Sequence, residues 1–179
     1  MAAMFWECLS LTNLNLSSFN TSNVTTMYSM FYNCSSLTNL NLSNFNANKV
    51  TRMNFMFYGC SSLPTLNLSG WTTSSLTRMD AMFQDCVSLT SLNLSSFNTS
   101  NVTDMSSTFR NCPELVTLTL GSNFTGQNLK TMNSMFMGDY KITSIDLSHL
   151  GQTKVTDMWC AFQSCTALRT LNLSNFKTL

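Results

Sequence analysis

The stretch Val24-Thr25-Thr26-Met27-Tyr28-Ser29-Met30-Phe31-Tyr32-Asn33-Cys34-Ser35-Ser36-Leu37-Thr38-Asn39-Leu40-Asn41-Leu42-Ser43-Asn44-Phe45 decides the fold, because it returns along the whole chain. Its first phenylalanine reappears as Phe5, Phe31, Phe57, Phe83, Phe109, Phe136 and Phe162, at steps of 26 residues with one step of 27. A unit this small cannot bury its own apolar face, so the chain folds only by stacking units, each covering the next. Two periodicities share the unit. Met27, Met30, Phe31 and Cys34 fall at i, i+3, i+4 and i+7, the spacing of one face of a short helix. Leu40 and Leu42 alternate with Asn39, Asn41 and Ser43, the pattern of a half-buried strand. The expectation is an α/β solenoid of about seven coils, each a short helix plus a short parallel strand.

Stacking turns each position into a column. Leu14, Leu40, Leu66, Leu92, Leu118, Ile145 and Leu171 form one core ladder, with Leu16, Leu42, Leu68, Leu94, Leu120, Leu147 and Leu173 beside it. At a strand spacing of about 4.8 Å, the paired strands would make a sheet ~30 Å across. Its open face carries Asn15, Asn41, Asn67, Asn93, Thr119, Asp146 and Asn172.

Residues 1–179 read as a single repeat domain. Met1 already sits in the column of Met27 and the chain stops in mid-repeat, so a fragment of a longer protein is expected, with any signal and anchor outside this segment. Only 9% of residues are charged, nine Lys/Arg against eight Asp/Glu, so Ser, Thr and Asn supply the surface. That balance gives no footprint for a nucleic-acid backbone or an anionic membrane surface. No apolar run approaches the roughly 20 residues that span a bilayer.

The run Leu11-x-x-Leu14-x-Leu16-Ser17-x-Phe19-Asn20-Thr21-Ser22-x-Val24-Thr25-x-Met27-x-x-Met30-Phe31-x-x-Cys34 resembles the repeat of BspA-like bacterial leucine-rich repeat surface proteins. The resemblance covers essentially the whole chain. It implies a right-handed leucine-rich-repeat superhelix displayed on a bacterial cell surface, associated with adhesion to host proteins or other cells. It transfers no catalytic residue and no ligand.

Several columns invite a chemical reading. Cys8, Cys34, Cys60, Cys86, Cys112 and Cys165 form a ladder that Asp139 interrupts, with Cys160 outside it. There is no Cys-x-x-Cys pair and the single His149 lies elsewhere, so neither a metal nor a cofactor is assigned. Side-by-side helices about 8–10 Å apart would hold these cysteines beyond disulfide reach, so buried free thiols are expected. The methionine columns read as core filler. Trp6, Tyr32 and Tyr58 share one column with Tyr28 nearby, which suits either an exposed aromatic strip for a sugar or protein partner or packing between coils. In the column Thr26, Arg52, Arg78, Asp104, Thr131 and Asp157, Arg78 is placed to pair with Asp104. On the open sheet face, Asn41, Asn67 and Asn93 either bind polar ligands or bond to one another along the ladder. The fifth coil departs from the pattern: Thr108 replaces a methionine, Gly121-Ser122-Asn123 takes up the extra residue, and Asp139 replaces a cysteine, so a bulge between Leu120 and Phe124 is expected.

No nucleophile, base and oxyanion donor come together in this sequence, so an enzyme is not expected. The leading function is a non-catalytic surface module that binds a host or neighbouring-cell protein, possible ligands including a glycan. The alternative is a structural spacer that displays another domain. An ice-binding reading of the Thr25, Thr51, Thr77 and Thr103 column is disfavoured, because Lys130 breaks the row.

Overall fold

The leucine pairs that alternate with polar residues form the strands β1 (Thr65–Leu66), β2 (Ser91–Leu94), β3 (Thr117–Leu120), β4 (Ser144–Asp146) and β6 (Thr170–Asn172). Two shorter strands, β5 (Gln152–Thr153) and β7 (Lys177–Thr178), pair with each other. The computed structural model describes residues 1–178. Every strand pair is parallel, and β1 with β2, β2 with β3 and β4 with β6 keep the 26-residue register, Leu66 beside Leu92 and Leu92 beside Leu118. The coils are numbered here by their phenylalanine, from coil 1 at Phe5 to coil 7 at Phe162.

The expected helix is absent: among the described residues, a single 3₁₀ turn at Ser148–Leu150 is the only helical element. In its place the Met27–Cys34 segment makes successive turns in which the N–H groups of Met30, Tyr32 and Cys34 donate to the carbonyls of Met27, Ser29 and Phe31. The alternate N–H groups, from Met27, Ser29, Phe31 and Asn33, cross to the carbonyls of Arg52, Asn54, Met56 and Tyr58 in the next coil. Every backbone donor from Met27 to Cys34, Tyr28 included through the Thr26 hydroxyl, is thereby satisfied.

Left-handed residues explain why a helix gives way to this arrangement. Ser29 and Asn33 have φ of +51° and +53°, and the same two columns are left-handed in all seven coils. A right-handed helix cannot contain such residues, and each one flips a peptide so that its N–H points to the neighbouring coil. The second column reads Glu7, Asn33, Gly59, Asp85, Asn111, Gly138 and Ser164, mostly the residue types that tolerate this conformation. The spacing i, i+3, i+4, i+7 still points Met27, Met30, Phe31 and Cys34 into the core, because two linked turns repeat it.

The core is a set of continuous columns. Phe5 through Phe162 stack ring on ring with centroids 5.2–5.8 Å apart and near-parallel planes. Each such pair adds roughly 0.5–1.5 kcal/mol beyond the burial of its area. The methionines and cysteines of coils 2 to 5 are inaccessible to solvent, as their core reading requires. The thiols, however, are held by hydrogen bonds and not by helix spacing. Cys34, Cys60, Cys86, Cys112 and Cys165 each donate Sγ–H to the phenylalanine carbonyl of the preceding coil, at 3.0–3.2 Å.

The leucine pairs of coils 1 and 2, Leu14 with Leu16 and Leu40 with Leu42, form no strand, against the expectation of one in every coil, and the sheet is broken again before β4. β1, β2 and β3 form one sheet, and β4 pairs only with β6. The break before β4 follows from the extra residue of coil 5. In coils 3 and 4 the turn after the strand closes on a leucine carbonyl, Leu68 or Leu94, but in coil 5 it closes on Gly121. Gly121 then lies so close to the Ser95 carbonyl that any Cβ would collide with it. The expected bulge therefore takes the form of a shifted turn and a broken sheet.

The left-handed columns set a sharp test. A Cβ at Gly59, where φ is +67°, would run into the Asn33 side chain. Gly59→Ala is expected to lower stability by about 1–2 kcal/mol, read from denaturant unfolding midpoints.

Candidate binding faces

The sheet face is built from asparagines at fixed register. In each strand turn the Asn Oδ1 accepts the backbone N–H two residues on: Asn15 from Ser17, Asn41 from Ser43, Asn67 from Ser69 and Asn93 from Ser95, at 2.9–3.1 Å. These are local side-chain turns. The amides therefore do not bond along the ladder through their oxygens, which counts against one of the two readings of this column, that of mutually bonded asparagines. Among the described residues, the Nδ2 groups of Asn41, Asn67 and Asn93 have no hydrogen-bond partner. At Asp146 the column turns acidic, and hydrogen bonds from Ser148 and then from Asn172 hold its carboxyl below the usual range.

Grooves follow this row of amides from coil to coil. Asn41 and Asn67 line a cleft of about 460 Å³ between coils 2 and 3. Asn67 and Asn93 line a shallower groove of about 270 Å³ across β1, β2 and β3. A further groove of about 180 Å³ opens at the break between β3 and β4.

The aromatic column lies on the turn segment of the coil and lines none of these grooves. Trp6, Tyr32 and Tyr58 do come together, stacked at centroid separations of 4.1 and 4.6 Å with planes within 9° of parallel. Tyr32 is covered on both faces, so it offers an edge and a hydroxyl and no stacking platform. Tyr28 meets Phe55 edge-on and lies beneath the Arg52 guanidinium, 5.4 Å from the ring centroid. Burial, and then a hydrogen bond donated to the Asp85 carboxylate, push the Tyr58 hydroxyl up to about 12.

The charged column has a structural function. Thr26, Arg52, Arg78, Asp104, Thr131 and Asp157 are joined by single parallel bridges from coil to coil. Thr26, Asp104, Thr131 and Asp157 also accept the N–H two residues on, which starts the turn segment. Arg78 pairs with Asp104 at 3.0 Å, as its position implied, and with Asp80 at 2.9 Å. The threonine column is likewise occupied: Thr51 and Thr77 donate their hydroxyls to the carbonyls of Thr25 and Thr51. That leaves no free hydroxyl row for a crystal surface.

A family model described as "Mycoplasma protein of unknown function, DUF285" matches residues 1–92 and again 87–179. The chain belongs to this family. No curated protein matches the sequence. Among solved structures, an internalin from Listeria monocytogenes is similar at 18% identity and a TM-score of 0.36, covering 78% of this chain and 42% of that one. The chain thus spans less than half of that relative. The family description names no activity, so function rests on the faces described above.

One family member's departure from its own repeat lies in the core. Asp139 takes the place of a cysteine and is inaccessible to solvent. Its Oδ1 accepts the Cys112 N–H at 2.8 Å, and its Oδ2 has no partner. Burial pushes this carboxyl up to about 8, so at neutral pH the folded chain holds it protonated.

Two predictions follow from the cysteine column. Burial holds the Cys60, Cys86 and Cys112 thiols above their ordinary range, whereas Cys8 and Cys160 are half-exposed and outside the hydrogen-bonded ladder. A maleimide applied to the native chain should label Cys160, Cys8 and the half-exposed Cys165 first, and the buried Cys34, Cys60, Cys86 and Cys112 only after unfolding, as peptide mapping would show. For Asp139, the unfolded carboxyl loses its proton near its ordinary 3.8 and the folded one near 8, so stability falls as pH rises between these values and levels above them. A tenfold change in proton affinity is about 1.4 kcal/mol, so the full effect is of order 5 kcal/mol. Asp139→Cys should remove that slope, giving denaturant midpoints much closer to wild type at about pH 4 than at about pH 8.

Proposed function

We propose that this chain is a non-catalytic recognition module of the BspA-like kind, carried on a bacterial cell surface, which binds a host or neighbouring-cell protein through its asparagine-lined sheet face. One observation carries the reading. Unpartnered Nδ2 donors at Asn41, Asn67 and Asn93 sit over adjoining grooves, while their Oδ1 atoms are consumed by the fold. The oxygens are taken by the turns, so the exposed amide donors are what this face presents to a partner. With 9% charged residues, recognition here depends on neutral hydrogen bonds and shape, and is weakly sensitive to salt.

The spacer reading is supported by a different observation. The phenylalanine column runs unbroken from Phe5 to Phe162, and Tyr32 is stacked between Trp6 and Tyr58, which suits a rigid stalk, although Trp6 at the end of the stack stays exposed.

The triple variant Asn41→Asp, Asn67→Asp and Asn93→Asp separates the two. Each aspartate keeps the Oδ1 acceptor that forms the turn, as Asp146 does naturally, but replaces the amide donors with a charged oxygen, and the three charges on adjoining coils repel one another. Adhesion of coated beads to host-cell layers is expected to fall at least tenfold, about 1.4 kcal/mol, with the fold retained at a melting temperature lowered by the added charges. Undiminished adhesion by the folded variant favours the spacer.

A further inference from the structure

The second left-handed column contains two glycines, and the space beside them is used differently. At Gly59 the Asn33 side chain of the coil before fills the place a Cβ would take. At Gly138, where φ is +83°, the nearest atoms to such a Cβ belong to Asn111 at 3.6–3.8 Å, an ordinary contact distance. Asn111 does not close over Gly138 because its Nδ2 donates backward to Asp85 Oδ1 at 2.7 Å. A pocket of about 160 Å³ stays open at this point of the turn segment, and its lining includes Gly138, Asn111, Asp85, Arg110, Tyr140 and Ser164.

Two of these residues break their columns without serving the stack. Arg110 stands where coils 4 and 7 have Gln84 and Gln163, and among the described residues its guanidinium makes no hydrogen bond and no ion pair. Tyr140 stands where other coils have Ser35, Ser61, Val87 or Thr166, and it is 49% exposed with no ring stacked on it. The Ser164 hydroxyl and the Asn111 Oδ1 also have no partner among the described residues, and Oδ1 is 3.7 Å from the vacant Cβ position. Asp85 is the exception. Its oxygens already accept from the Asn111 and Gln84 amides and from the Tyr58 hydroxyl. The pocket therefore presents a forked donor, an amide acceptor, a hydroxyl and an open aromatic ring, and the charge of Arg110 is balanced by that of Asp85.

We propose that this pocket binds a single neutral sugar ring, the terminal residue of a glycan. The apolar C–H face of a sugar packs on an aromatic ring such as Tyr140. Its neighbouring hydroxyls both donate and accept, which Arg110, Asn111 Oδ1 and Ser164 together satisfy. Size limits the ligand: 160 Å³ is the liquid volume of roughly five waters and falls below the ~300 Å³ of pockets for drug-sized molecules, so one ring enters and a longer chain stays outside. Charge selects further. An acidic sugar or a carboxylate side chain would meet Asp85 as well as Arg110, and a zwitterion would need a carboxylate not already occupied by three donors. None of these residues lines the grooves of the sheet face, so the sugar site is separate from the surface proposed to bind protein.

The test applies the chain to an array of glycans ending in neutral hexoses, N-acetylhexosamines, sialic acids, uronic acids and sulfated sugars, where dense display compensates for the weak hold of one ring. Glycans with neutral ends should be captured. The methyl glycoside of the captured terminal sugar, titrated into isotope-labelled chain, should shift the NMR signals of the Gly138 amide and the Tyr140 ring. Tyr140→Ser, Arg110→Gln and Gly138→Asn each install a residue that the same column holds in another coil, as at Ser35, Gln84 and Asn111. Tyr140→Ser and Gly138→Asn should weaken binding at least tenfold, the first by removing the ring and the second by filling the pocket, and Arg110→Gln several-fold. Should Gly138→Asn fail to fold, the other two variants decide. The proposal is overturned if no neutral glycan is captured above a bare-surface control, if anionic glycans or an acidic peptide are captured in preference, or if folded Tyr140→Ser and Arg110→Gln bind as wild type does. The sheet-face Asn→Asp triple variant should bind the sugar unchanged. Sugar binding lost there and kept in the pocket variants moves the ligand to the sheet face and overturns this assignment, whereas its persistence leaves the fate of the sheet-face reading to the adhesion assay alone.

Discussion

Everything in this chain depends on a peptide group that turns away from its own coil. Left-handed residues at two fixed columns direct alternate N–H groups, such as those of Met27, Ser29, Phe31 and Asn33, to carbonyls in the following coil. A left-handed conformation at a residue other than glycine costs of order 1 kcal/mol, and the cross-coil bonds together with core burial offset it. The cost explains the composition of the second column, where Asn33, Gly59, Asp85, Asn111 and Gly138 are the residues that adopt it most readily. Once the peptides are turned, the phenylalanines can meet only face to face and the thiols can reach only the carbonyl behind them. The core columns are consequences of the turned peptide.

The period, the inward columns and the strand positions were legible in the sequence because each rests on a residue type repeated at a fixed step. The segment from Met27 to Cys34 misled for a physical reason: two linked turns place their apolar residues at the same intervals as a helix. A signal against the helix was present in the alternation of asparagine, glycine and aspartate along one column, which no helix interior favours. Asn41, Asn67 and Asn93 were legible as a face, but the division of labour between Oδ1 and Nδ2 was not, since it depends on the turn geometry that follows each strand.

Function is separated from stability in this architecture by the same logic. Residues that repeat are consumed by the stack, including the threonine hydroxyls and the charged column that begins each turn segment. Asp139 shows how narrow the tolerance is, since a carboxyl in the cysteine column is buried with one oxygen unsatisfied and must keep its proton. The sheet face tolerates change because its side chains point to solvent.

The hydrogen bonds between coils also have a direction. In the turn segment the N–H groups point forward, from Met53 to Arg78 and from Phe57 to Met82. In the threonine column they point backward, from Thr51 to Thr25 and from Thr77 to Thr51, and the thiols of Cys60 and Cys86 point backward with them. An α-helix aligns all its peptides and accumulates a macrodipole with charge at each end. Here two antiparallel files of dipoles run side by side and largely cancel. Coils can therefore be added or removed without building up a field along the axis, so a stack of this kind sets no electrostatic limit on its own length.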